Sequence, residues 1–272
     1  MTRVPEGLLP WRRVVPGRPG SAVVTMDSLL SVRDFYDDYT DHQLDIGVNE
    51  RHRAIHEWLK RFGLRPGISV LEIGCGIGTE TELIAGTIGS TGSALAVDLS
   101  PASVEIARKR LADWPNVEFL AADVTELHLD RCFDIIVMPD VLEHIPLHDH
   151  LRLFANARRW IGERGLVLIH MPNPLYLEWC HANRPELLQV IDQPIFTETL
   201  LASAVPNGFY LHYLETYSIW IEENDYQVVV LKPRPSQPEF HVKEVRAFSR
   251  RGLSSSFRRV AGALGRRDRT HP

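Results

Sequence analysis

Three glycines at alternate positions, Gly74, Gly76 and Gly78, stand between the apolar run ISVLEI (68–73) and the helix-like stretch TETELIAGTI (79–88). Glycine lacks a Cβ, so its backbone enters the left-handed region without strain and comes close to a neighbour. Placed between a strand and a helix, such a turn is where open α/β sheets hold a nucleotide-like ligand. The spacing departs from G-x-G-x-x-G because the third glycine falls one position early, and no lysine follows as in a phosphate-binding P-loop. Glu72 directly precedes the turn. A carboxylate there suits a ligand with a cationic end better than a phosphate.

The remainder of the chain alternates strands and helices. Strands are expected at 68–73, 93–98, 117–123, 132–140 and 165–171. Between them, IHEWLKRFGL sets Ile55, Trp58, Leu59 and Phe62 on one helical face. Thr79 and Glu82 have capping-box spacing, and Ser100 precedes Pro101 as an N-cap. PLHDHLRLFANARRWIG places Leu147, Leu151, Phe154 and Ile161 at core spacing. Strands separated by helices imply a parallel sheet. A last helix in TETLLASAVPNGF then leads to LHYLETYSIWIEENDYQVVVLKP, read as two strands joined by a tight EEND turn. The fold class is therefore α/β, a Rossmann-like seven-stranded mixed sheet sandwiched by helices.

Residues 1–27, rich in Pro, Gly and Arg, read as a disordered leader, and the basic stretch 233–272 reads as a disordered tail. Residues 28–232 form the expected domain, with an N-terminal helical cap and an insertion at 173–196. A formal charge of −5 over 272 residues supplies no global attraction to nucleic acid. Cys75, Cys132 and Cys180 are scattered without zinc-site spacing, which suits reduced thiols in a cytoplasmic protein. No apolar run reaches the ~20 residues of a membrane span, so stable membrane insertion is not expected.

At E-x-G-x-G-x-G (72–78), at Asp98 ending the second strand, at AAD (121–123) and at FDIIVMPDVLEHIP (133–146), the sequence resembles the class I S-adenosylmethionine-dependent methyltransferases. It is most similar to the small-molecule type of quinone biosynthesis and natural-product tailoring, over roughly residues 30–232. The resemblance implies strand order 3-2-1-4-5-7-6 with strand seven antiparallel, and S-adenosylmethionine as cofactor. It also implies roles. Glu72 and the turn residues Gly74, Cys75 and Gly76 would meet the amino-acid end, with Tyr36 of the FYDDY stretch near it. Asp98 would hold the ribose diol, with Leu99 beside it, and Asp123 would accept from the adenine amino group, with Val124 and Met138 nearby. Simpler readings stay open: Asp123 as an N-cap boxed by Glu126, Glu72 in a local salt bridge, and Tyr36 with Phe35 and Tyr39 as core.

Methyl transfer to a small-molecule acceptor asks mainly for alignment and exclusion of water, with a base only where the acceptor loses a proton. A small hydroxylated metabolite methylated at oxygen is the expected acceptor. N- or C-methylation, or a non-catalytic cofactor-binding partner protein, are the alternatives. His144 is the first candidate base, with His170 and His181 in reserve, and each has a structural alternative. Within 173–196, Tyr176, Trp179 and Asp192 suit a substrate-covering lid, or else the segment is a helix that only packs on the sheet. Asp140 and Asn173 stand where some relatives place metal ligands, but no second acid accompanies them, so no metal is expected. The motif of amino-methylating DNA enzymes is missing after the fourth strand, where MPDVLEH stands, so no nucleic-acid partner is expected.

Overall fold

The computed structural model describes residues 47–235. The leader, the cap bearing Phe35, Tyr36 and Tyr39, and the tail from 236 lie outside the described residues. The chain runs α1 (Glu50–Arg61), β1 (Ser69–Ile73), α2 (Thr79–Ile88), β2 (Ser93–Asp98), α3 (Pro101–Arg110), β3 (Val117–Ala121) and β4 (Phe133–Pro139). It continues through α4 (His150–Trp160), β5 (Ile161–Pro172), α5 (Pro174–Asn183), α6 (Thr197–Ala204), β6 (Phe209–Tyr217) and β7 (Tyr226–Pro233).

The strands form one sheet in the order β3-β2-β1-β4-β5-β7-β6, as the family resemblance implied. Pairings among β1 to β5 are parallel, while β7 runs antiparallel to both β5 and β6. The order reverses between β1 and β4, and a crevice opens at the carboxyl ends of strands at such a point. One core cluster joins Phe154 and Trp160 of α4 and Leu200 of α6 to the sheet, with Phe209. The second gathers Ile55, Trp58 and Leu59 of α1 with Ile84 and Ile88 of α2.

Local chemistry sets the boundaries. Asn49 caps α1, its side-chain oxygen accepting from the Arg51 and His52 N–H groups. Ser100 caps α3 by accepting from Ser103 N–H, with Pro101 in the first turn as expected. The helix after the glycine turn differs from expectation. Gly78 is the N-cap, in the left-handed region, so Thr79 is already inside α2 and no capping box forms with Glu82. Glu82 instead pairs with Arg110.

Two further readings are corrected. The chain passes through two 3-10 turns (Leu142–His144 and Leu147–Asp149) before α4 begins, which shifts the helical phase. Leu147 and Leu151 are therefore exposed, Leu153, Phe154, Ala157 and Trp160 face the core, and Ile161 already belongs to β5. The final hairpin has no tight EEND turn. Strand β6 stops at Tyr217, and buried Asp225 folds the connecting segment by accepting from the Ile219 and Trp220 N–H groups. No helix among the described residues is long and apolar enough to cross a membrane.

One buried side chain of α4 fixes the segment after β3. The Asn156 amide donates to the carbonyls of Val124 (3.1 Å) and Thr125 (2.9 Å). Both residues are buried, so replacing Asn156 with Ala strands two acceptors away from water. We predict that Asn156→Ala lowers unfolding free energy by about 1–3 kcal/mol. Urea denaturation checks this, and an unchanged midpoint would contradict it.

Candidate active site

The glycine turn packs as closely as its sequence requires. Gly74, Gly76 and Gly78 have φ of 82°, 51° and 82°. A Cβ on Gly74 would lie 2.8 Å from Val141 Cγ2, and one on Gly78 would lie 2.6 Å from Leu111 Cδ1. The turn is tied to the end of β2, because Gly76 N–H donates to Asp98 Oδ2 at 2.7 Å while Ser100 N–H donates to Oδ1 at 2.9 Å. A cleft of about 200 Å³ opens beside it.

Most of the residues expected at the cofactor line this cleft: Glu72, Gly74, Cys75 and Gly76 from β1 and its turn, and Asp98, Leu99, Asp123 and Val124 from the ends of β2 and β3. Met138 does not. It is fully buried in the core, with its place on β4 turning it away from the cleft wall. Tyr36 lies outside the described residues. Cys75 is a buried thiol whose pKa is pushed well up by burial and by nearby Asp98 and Glu72, so it serves as wall.

Glu72 makes no salt bridge. Thr81 Oγ1 donates to its Oε2 at 2.6 Å, and its buried Oε1 has no hydrogen-bond partner. Burial, with added repulsion from Glu80 and Asp98, raises its pKa to about 8. Asp123 is not a helix cap, since no helix follows. Its Oδ1 accepts from Thr125 N–H and Oγ1–H at 2.8 and 2.7 Å, and Glu126 pairs with Arg152 instead of completing a box.

The candidate bases separate. His144 lines the cleft, with Nδ1 2.5 Å from the Ile191 carbonyl and 3.2 Å from Asp192 Oδ1. Both neighbours are acceptors, so the proton of the neutral ring sits on Nδ1 and Nε2 is its accepting nitrogen. His170 does not reach the cleft. It is fully buried, with Nδ1 2.5 Å from Asp140 Oδ1 and Nε2 2.6 Å from the Tyr217 hydroxyl, and it stacks on Tyr226. Its role is to hold Asp140. His181 is exposed, spends Nε2 on the Asp192 carbonyl at 2.6 Å, and does not line the cleft.

The insertion residues also divide. Tyr176 and Asp192 line a second cavity of about 50 Å³, which shares Arg51, Asp140, His144 and Gln189 with the main cleft. Trp179 lines neither cavity; it stacks on Tyr176 from outside and is half exposed. Asn173 caps α5 by accepting from Leu175 N–H. No group of three or more metal-ligating side chains gathers among the described residues.

One residue lining the cleft, Arg51, escaped the sequence, and Asp140 was weighed there only as a metal ligand. Arg51 lies 2.6 Å from Asp140 Oδ2, and Asp140 has φ of 52°, a strained value for a residue with a Cβ. Burial opposes its charge, yet His170 and Arg51 hold its pKa below the ordinary carboxylate range. His52 beside them is pushed down to about 3, chiefly by burial, and is therefore neutral. The D-V-L-E-H string was visible, but nothing in the helix carrying Arg51 indicates that it reaches across to β4.

The sheet order, the glycine turn and the acidic strand ends define the class I S-adenosylmethionine-dependent methyltransferase fold. Residues 70–165 match the family model of a methyltransferase domain, and the sheet topology is that of this class. It is 29% identical over 124 residues to demethylmenaquinone methyltransferase of Staphylococcus aureus, covering 44% of this chain and 49% of that protein. It is 28% identical over 174 residues to trans-aconitate 2-methyltransferase of Methylobacterium nodulans, covering 64% and 63%. The chain thus spans between about half and two thirds of these two relatives. Among solved structures, magnesium protoporphyrin IX methyltransferase of Synechocystis superposes with a TM-score of 0.59 at 17% identity, over 77% of this chain and all of that one.

Glu72 makes stability depend on pH. Its folded pKa is raised, so the folded protein holds a proton that the unfolded chain releases above about 4.5. That contribution is fully present below pH 4.5 and is lost as pH rises through 8. Glu72→Gln should remove this dependence, so its melting temperature relative to wild type should climb from pH 5 to pH 8. A flat difference in parallel melts would refute the assigned shift.

Proposed function

We propose that this protein binds S-adenosylmethionine and transfers its methyl group to a small hydroxylated molecule, at oxygen. The observation that carries the reading is convergence: Glu72, Asp98 and Asp123 come from the ends of three different strands and line one cleft beside the glycine turn. The fit to this cofactor can be tested on Glu72, whose buried, unpartnered Oε1 is costly unless a ligand brings it a donor or a positive charge. An amino-acid tail with an ammonium does both. Asp98 would accept from ribose hydroxyls, and Asp123, whose Oδ1 is committed to Thr125, would turn Oδ2 to the adenine.

Bound there, the sulfonium supplies a methyl group already activated for displacement. The chain's own residues then align, shield and take up a proton. His144 is the proposed proton acceptor, through the nitrogen opposite its bonds to Ile191 and Asp192. Tyr176 and Asp192 of the insertion stand on the acceptor side. The relatives' names span quinone, aconitate and porphyrin acceptors, so they support a small-molecule acceptor without choosing one.

Calorimetry with S-adenosylhomocysteine tests the reading. Wild type should bind it and should not bind NAD. Asp98→Ala removes a charged acceptor from two hydroxyls and should cost about 1.5–3 kcal/mol. Unchanged affinity in that variant would overturn the site. Turnover of an identified acceptor, followed by mass detection of the added methyl, should fall about 10²–10⁴-fold in His144→Ala with cofactor affinity retained. Parallel loss of cofactor affinity and stability would make His144 a structural residue.

A further inference from the structure

The second cavity, of about 50 Å³, lies behind the junction that Arg51, Asp140, His144 and Gln189 form with the cofactor cleft. It is walled by the turn after β4, by the insertion and by the β6–β7 connection. Its volume is on the order of two water molecules. It therefore accommodates one head group of a ligand whose remainder lies in the main cleft.

Its walls carry two unsatisfied groups of opposite kind. Glu143 is 2% exposed, and its Oε2 is buried with no hydrogen-bond partner. The indole Nε1–H of Trp220 is likewise buried and makes no well-formed hydrogen bond, only a weak approach to the Tyr226 hydroxyl. Native interiors rarely leave such groups unpaired, because a buried polar atom without a partner forfeits its hydration. A ligand that both donates and accepts satisfies the pair.

Charge decides which donor. Among the described residues, the carboxyl groups lining the cavity are Asp140, Glu143 and Asp192, and Arg51 is the one side chain there that is charged at every pH. Arg51 is engaged by Asp140 at 2.6 Å, and His144 by Asp192 at 3.2 Å. Glu143 Oε1 lies 3.7 Å from His144 Nε2. Tyr176 and Cys180, also in the wall, have raised pKa values through burial and stay neutral. An anionic head would lie beside these three carboxyl groups with Arg51 already engaged by Asp140, whereas a cation can pair with Glu143 once its proton is lost. The aromatic rings of Tyr176, Trp220 and Tyr226 line the same space and favour a cation at their faces.

We propose that this cavity is the specificity pocket for the methyl acceptor and that it takes a basic nitrogen, held by Glu143, with Trp220 donating to a neighbouring oxygen. The acceptor class is a hydroxylated amine. The nitrogen anchors in the inner cavity, and the hydroxyl to be methylated lies toward His144 and the cleft. This assignment rests on the methyl-transfer reading above. Burial holds Glu143 protonated when the cavity carries no cation, so entry of an ammonium releases that proton to solvent and leaves a carboxylate–ammonium pair.

Three probes of similar size, ethylammonium, ethanol and acetate, test it on the full chain by NMR titration and thermal shift. Titrations are run with and without S-adenosylhomocysteine. Ethylammonium should move the Trp220 indole N–H resonance saturably and raise the melting temperature, while ethanol and acetate should do neither at equal concentration. Glu143→Gln should weaken ethylammonium binding at least tenfold. Trp220→Leu should weaken it several-fold by thermal shift, and decides the matter if the Glu143 variant does not fold. Equal response to acetate or ethanol, or wild-type ammonium affinity in a folded variant, would overturn the proposal. Absence of S-adenosylhomocysteine binding would instead overturn the methyl-transfer reading, because the ammonium titration without it is read independently.

Discussion

The bond between Gly76 N–H and Asp98 Oδ2 fastens the first strand's turn to the end of the second, and the site follows from that fastening. It requires the backbone at 74–78 to lie so close to its surroundings that Val141 and Leu111 occupy the space where Cβ atoms would stand. Val141 belongs to the segment after β4, and Leu111 ends the helix after β2. One short turn therefore sets the distance between three strand ends. Larger residues there would force apart the same elements that carry Glu72, Asp98 and Asp140.

The second half of the site hangs on Asp140. Its backbone occupies the left-handed region, and its two oxygens are divided between Arg51 of α1 and His170 of β5, which in turn bonds Tyr217 of β6. Strain at a non-glycine residue persists only where surrounding bonds over-determine it, and this carboxylate is held from both sides. The chain of bonds crosses the sheet from α1 to the edge strand. It keeps a fixed positive charge at the junction of the two cavities, at the cost of burying a charge pair that only good geometry repays.

How much of this could be read from the sequence depends on whether the determining contacts are local. The strands, the turn, the Ser100–Pro101 cap and the acidic strand ends are specified by neighbouring residues and were legible. Phase errors arose where tertiary bonds intervene. Leu147 and Leu151 have core spacing, but two 3-10 turns rotate them to the surface. EEND looks like a turn, but Asp225 gathers two backbone N–H groups and lengthens the connection. His170 and His144 look alike in sequence, each close after or at a strand end. Only the fold shows that Asp140 and Tyr217 consume both nitrogens of one, whereas the insertion fixes the tautomer of the other.

That last contrast bears on the insertion at 173–196, for which a lid and a merely packing helix were both open. Its two parts differ physically. Helix α5 buries Leu177 and Cys180, as a packing element does. The following stretch is stitched to the turn after β4: Gln193 donates through its backbone to the Glu143 carbonyl at 3.0 Å and through its side chain to the Ile145 carbonyl at 2.7 Å. Ile191 and Asp192 sit on His144 within the same span, and Gln227 of β7 donates to the Ile195 carbonyl at 3.3 Å. Moving this stretch away would release the ring of His144 and open the inner cavity in one step. In the function proposed here, closing over the acceptor and orienting the proton-accepting nitrogen are then a single event. Proton transfer is competent only when water is already excluded, which is the order that protects an activated methyl group from hydrolysis.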